Sequence, residues 1–320
     1  MLSGFSEGYW LHVKWFIGEE EGHPLPMAEV LSGPFWLWFA VTMAGLLITA
    51  IFNEPLQRFG LIARLHHTLD RFKAYVPIIL RVGLALSLVM QIATHSFLAP
   101  ELAADAWWII ALQAIALAAL IWGRTMPIAG AALAVLYGYA IYQYGWFHAL
   151  DYMFYVGIIY YLVIHRTYAS SSATPVLYFT LGFSLAWAGL EKMTMPELSY
   201  GIVQQYAVPT FGFSVEHFVL ISAFIELGLA WSLIVGILNR FVSILVTLVF
   251  IATTTVFGFT EIVGHTIIHA LLLMFIIEGE GALRTPFQFH RSPVLRYSFV
   301  LVNFCVLLFG LMALYITLGS

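Results

Sequence analysis

TEIVGHTIIHALLLMFII, residues 260–277, is apolar enough to cross a bilayer as a helix, yet Glu261, His265 and His269 recur in it every four residues. Residues four apart lie on one helix face, about 6 Å apart along the axis. Ionisable groups inside a span are costly and mark function by default. Two histidines at i and i+4 can share one metal ion.

The apolar character of this stretch runs through the whole chain. Of 320 residues, 62% are hydrophobic and 9% are charged. That excludes a soluble domain and gives an all-α, polytopic integral membrane protein in a lipid bilayer, with no nucleic-acid partner. Apolar runs near 34–52, 76–98, 106–123, 127–147, 152–165, 175–193, 217–237, 241–259, 264–279 and 297–318 predict about ten transmembrane helices. Those at 152–165 and 264–279 are short. The N-terminus lacks a basic region followed by an apolar core, so no cleavable signal peptide is expected. The single cysteine, Cys305, lies in the last span and leaves no intrachain disulfide and no c-type haem signature.

Basic residues orient the spans. With both termini outside the cytoplasm, only Lys14 and Lys192 of the 13 lysines and arginines fall outside. Of the 17 acids, only Glu54, Asp70, Glu278 and Glu280 fall inside. A bacterial inner (cytoplasmic) membrane is the expected location. The acidic outer face suits a cation, a neutral substrate or a basic partner better than a small anion.

Residues 76–166 and 174–280 resemble each other in pattern. QIATHSFLAPEL (91–102) matches WAGLEKMTMPEL (187–198) at the shared PEL, which places His95 on Glu191. LQAIALAALIWG (112–123) matches IELGLAWSLIVG (225–236), placing Gln113 on Glu226. WFHALDYMFY (146–155) matches VGHTIIHALL (263–272), placing His148 on His265 and Tyr152 on His269. The expected organisation is two tandem four-helix bundles related by an axis along the membrane normal. They are preceded by an N-terminal segment at 1–33 and a helix with its cytoplasmic loop at 34–75, and followed by a C-terminal helix at 281–320.

Within 175–280, AWAGLEKM and FIELGLAWSLIVGILNRF resemble the first and second helices of DoxX-like membrane proteins. The resemblance covers about a third of the chain. It implies a four-helix membrane bundle in the second repeat. It also implies kinship with small subunits of thiosulfate:quinone oxidoreductase and with partners of secreted redox enzymes. The first repeat departs from that pattern, because it lacks the Glu and the Lys.

Helix geometry sets an expectation for the site. Glu226 lies about 13 Å below the outer interface and His269 about 12 Å below it, at 1.5 Å per residue. Glu191, Glu226, His265 and His269 therefore converge in the outer half of the second bundle, with Glu261 above them near the mouth. Two imidazoles and two carboxylates suit a transition metal such as iron, copper or zinc. Glu226 and His269 are the expected catalytic pair. The other readings of the same residues are a proton or quinone site without metal, and a hydrogen-bonded polar cluster. In the first repeat, His95, His148 and Asp151 form a poorer set for a cofactor, with His148 and Asp151 spaced to pair. The acidic run GEEEGH (18–23) gathers cations or is a solvated loop, and 194–216 is expected to lie over the second bundle as a lid. The leading functional expectation is a membrane redox protein, or the membrane subunit of a metal-dependent, quinone-linked oxidoreductase, with an extracytoplasmic redox partner protein. The alternatives are a metal-ion transporter or metal-binding membrane protein, and a non-catalytic anchor for an extracytoplasmic partner.

Overall fold

Proline sets where many of the helices begin. Pro34, Pro77, Pro127, Pro196 and Pro293 stand in first turns, where the missing N–H has no intrahelical role. The protein, seen in a computed structural model that describes residues 23–279, 284–290 and 292–320, is almost entirely helical. The order begins with α1 (Met27–Val30), α2 (Gly33–Arg58), α3 (Gly60–Asp70) and α4 (Val76–Ala93). A small antiparallel hairpin follows, β1 (Ser96–Phe97) and β2 (Ala99–Ala103). Then come α5 (Trp107–Ala119), α6 (Met126–Ala149), α7 (Phe154–Ile164), α8 (Ala173–Thr194) and α9 (Pro196–Gln205). The chain closes with α10 (Val215–Val235), α11 (Asn239–Phe257), α12 (Phe259–Glu278) and α13 (Pro293–Gly319).

Among the described residues, eight helices (α2, α4, α6, α8, α10, α11, α12 and α13) are long and apolar enough to cross a membrane. The protein is thus an all-α polytopic membrane protein. The spans expected at 106–123 and 152–165 are shorter than predicted. At 1.5 Å per residue, α5 and α7 reach about 20 Å and about 16 Å, against a hydrocarbon core of about 30 Å.

The missing length is taken up by chain that folds inward. Gly145 leaves the helical conformation inside α6 at φ 84° and ψ 166°, and a 3₁₀ turn at Leu150–Tyr152 precedes α7. The Phe154 N–H donates to Ser184 Oγ at 3.0 Å. Ser184 lies about 16 Å along α8 from its start. The hairpin also turns back, since the Leu98 N–H donates to Gln91 Oε1, on α4, at 3.1 Å. Irregular backbone persists in a membrane protein only when protein surrounds it and satisfies its polar groups. Here side chains do so. Gln113 Nε2 donates to the Ser96 carbonyl at 2.9 Å, Tyr155 to the Leu98 carbonyl at 2.8 Å, and Tyr137 to the Ala149 carbonyl at 2.7 Å.

Eight helices close into a ring. Going round it, α4 touches α5, then α6, α7, α8, α10, α11 and α12, and α12 packs on α4 again. The first four and the last four therefore share two seams, α7 on α8 and α12 on α4. Small residues make both seams close. A Cβ on Gly83 would collide with Ala270 across the α4–α12 seam, and one on Gly157 would collide with Thr180 across the α7–α8 seam. The helices α2 and α13 pack against each other, α2 also against α10 and α13 also against α8, so both lie beside the second four. Within 194–216 the chain forms α9, which packs on α8 and α10. Most of the acidic N-terminal run lies outside the described residues.

Candidate functional site

The irregular segments bring several ionisable groups into the ring. His148 ends α6 just after the break at Gly145, and Asp151 lies in the 3₁₀ turn that follows. Glu101 comes from β2 and Glu191 from the last turns of α8. His148 is 1% exposed, Asp151 5% and Glu191 0%. The His148 Nε2 lies 3.5 Å from Glu101 Oε1, and the Tyr152 hydroxyl donates to that same oxygen. The expected carboxylate partner of His148 was Asp151; the carboxylate found beside Nε2 is Glu101. Glu191 and Glu101 are the charges that act on Asp151, and Asp151 and Glu191 both act on Tyr315 of α13. Tyr315 is held in an aromatic cage, 4.7 Å from Trp187 and 4.9 Å from Phe147 between ring centroids.

Neither Asp151 carboxyl oxygen has a hydrogen-bond partner. Buried polar groups are nearly always satisfied, and an orphan asks for an explanation in function or in an unseen ligand. Below it, Gln91 and Gln113 are structural: Gln91 Nε2 donates to Ser87 Oγ and to the Tyr155 hydroxyl, both at 3.0 Å. Gln113 thus carries hairpin backbone rather than a cofactor.

The second four presents separated pairs. Glu226 is ion-paired to Lys192, with side chains 17% and 23% exposed. Glu261 Oε1 lies 3.0 Å from His265 Nδ1, and both are buried. His265 stacks on Phe250 at 4.2 Å, and His269 meets the edge of the same ring at 6.2 Å. The expected convergence of Glu191, Glu226, Glu261, His265 and His269 on one metal is therefore not found. Among the described residues, no three His, Cys, Asp or Glu side chains come together to hold a metal ion. The physical reason lies in direction. Glu191 acts electrostatically on Asp151 and Tyr315 while its neighbour Lys192 takes Glu226, as residues about 100° apart on one helix can. His95 is also misplaced by the sequence reading. It is an exposed residue at φ 53°, at the turn from α4 into the hairpin.

Sequence reasoning missed Glu101 as a site residue. It sits in Pro100-Glu101-Leu102, the string that anchors the repeat, and its role depends on a hairpin that no helical periodicity reveals. Tyr315 was missed because a tyrosine near the end of a span reads as ordinary interface anchoring. In comparisons with known proteins, no family model, no curated protein and no solved structure matches the chain.

Proposed function

We propose that the protein is a membrane redox protein, or the membrane subunit of a quinone-linked oxidoreductase, whose working site is a metal-free proton-exchange cluster of Glu101, His148, Asp151, Glu191 and Tyr152. The observation that carries this reading is Asp151, buried with both oxygens unpartnered beside two more carboxyl groups. Such coupled groups take up and release protons as a unit, not as separate residues. The resemblance of 175–280 to DoxX-like membrane proteins supports the redox half. On this reading a quinol in the bilayer gives up two protons and two electrons. Asp151 and His148 each accept one proton, and the two electrons pass to an extracytoplasmic redox partner protein. Among the described residues the pairs around Glu226 and His265 stay separate, and no step of this proposal runs through a metal. The site faces the outer half of a bacterial inner membrane, with both chain termini outside.

The test is reconstitution of the purified protein in liposomes with a short-chain quinol and a soluble one-electron acceptor. Turnover with proton release to the lumen or bath supports the reading, and Asp151→Asn and Glu101→Gln should each lower it at least tenfold, as general acid–base groups do. Glu226→Gln should lower it far less. Absence of quinol turnover in the wild type overturns the redox reading. A second reading, ion-coupled transport, is favoured by the broken α6, since discontinuous helices line the binding sites of many transporters. Metal-ion or proton uptake without quinol would establish it instead.

A further inference from the structure

We infer that a cavity at the other, basic end of the ring holds the headgroup of a phospholipid that carries both a phosphate and a primary ammonium, with an acyl chain lying along α11. The cavity encloses about 460 Å³ between α3, the start of α11 and the end of α12. Its size falls in the range of small-molecule sites. Its polar wall is formed by Lys73, Arg240, Asp70, Glu278, His66 and Asn239.

Two cations and two acids make this wall neutral overall, which suits a zwitterion better than a simple anion. Asp70 is already engaged: Arg240 Nη2 donates to it at 2.6 Å, and Lys73 Nζ lies 3.1 Å away. Arg240 Nε and Asn239 Oδ1 are unpartnered but packed within the protein. The headgroup therefore meets the charged groups that are open to the cavity. Its phosphate accepts from Lys73 Nζ, whose side chain is 41% exposed, and its ammonium donates to the half-buried Glu278 carboxylate. Arg240 fixes the wall behind them, since it also donates to the Ile277 carbonyl at 2.9 Å. Gly279, at φ 69°, lets its guanidinium lie against the backbone.

Apart from Gln57 and Gly279, the rest of the lining is apolar and includes Leu56, Ile62, Leu65, Leu69, Phe241 and Ile244. No residue of α3 is buried, and Leu61 and Leu65 are exposed. Such a helix lies in the plane of the membrane interface with its apolar face among lipids. That puts the polar wall at headgroup depth. From it, exposed Phe241, Ile244, Leu248 and Ile251 run down one face of α11 toward the bilayer centre. A soluble metabolite has no use for that stripe, whereas an acyl chain covers it.

The experiment uses the full chain, delipidated in detergent and then exchanged into vesicles containing equal phosphatidylethanolamine, phosphatidylcholine and phosphatidylglycerol. Re-extracted protein is examined by native mass spectrometry. Phosphatidylcholine keeps the phosphate but has no N–H to donate, and phosphatidylglycerol has no cation. The expected result is one retained phosphatidylethanolamine per chain, favoured about fivefold or more over each competitor, the size of one charge-assisted hydrogen bond. Leu65→Trp, on a helix with no buried side chain, should fill the cavity and abolish retention while the protein still folds. Glu278→Gln should abolish the preference among headgroups. Equal retention of the three lipids, retention unchanged in Leu65→Trp, or equal binding of soluble phosphoethanolamine would each overturn the proposal. So would retention of a co-purified quinone in place of phospholipid.

Discussion

Asp151 is held where a carboxyl group has no hydrogen-bond partner and two like groups for company. A fold selected only for stability has no reason to keep it, because an unsatisfied buried polar group costs about 1–3 kcal/mol. Asp151→Leu, which removes the polar group altogether, should therefore raise the thermal unfolding midpoint in detergent even as it removes activity, the trade-off typical of working sites. A lowered midpoint would mean that the carboxyl group serves the fold. Some of this site was legible in sequence. His148 and Asp151 stand out because polar residues three apart inside an apolar run are rare. Glu226 and Lys192 stand out equally, yet they pair with each other, and single-residue reasoning cannot tell a partner from a ligand. Glu191 and Lys192 show the limit most clearly. They are neighbours in sequence, about 100° apart on one helix, and only the packing of α8 decides which groups each acts on.

At the scale of elements, long apolar helices were readable from hydropathy, because a period and a length suffice to define them. The hairpin and the break at Gly145 were not. Pro100-Glu101-Leu102 lies in a strand, while Pro196-Glu197-Leu198 opens α9, so one tripeptide serves two conformations under different packing. The sequence places the amphipathic α3 in a cytoplasmic loop, and its helical form depends on an interface that sequence windows do not contain. Its docking carries a pH signature. Partial burial raises the Asp70 carboxyl, but hydrogen bonds and charge from Arg240 and Lys73 outweigh this and hold it below the ordinary 3.8. A depressed carboxyl pKa stabilises above the unfolded value and loses its effect as pH falls through the folded one. The protection of amides 60–70 against hydrogen exchange, corrected for the intrinsic pH dependence of exchange, should be high at about pH 5 and be lost only as the pH falls below the ordinary carboxylate value. In Asp70→Asn it should be low throughout. An unchanged pH profile in that variant would show that α3 is held by its apolar contacts alone.

For the whole molecule, the alternation of ten helical segments and the clustering of arginines at one end predict a single orientation. A cysteine placed at residue 70 or 286, in a Cys305→Ala background, should resist a membrane-impermeant thiol reagent in intact cells and react once the membrane is opened. Labelling in intact cells would reverse the assignment and place the lipid cavity in the outer leaflet. The order of helices around the ring was not legible, since hydropathy says that segments cross and not which of them touch. The α4–α12 seam has a consequence for how the protein comes into being. Gly83 meets Ala270 only after roughly 190 further residues have left the ribosome, a wait of about 10–40 s at ordinary rates of synthesis. For that interval α4, with Gln91 and the hairpin hung from it, sits in the membrane with its seam uncovered. The nascent protein is thus most exposed to quality-control proteases and to wrong partners in the last moments before α12 arrives, and slow codons in the second half of the message would lengthen that vulnerable period.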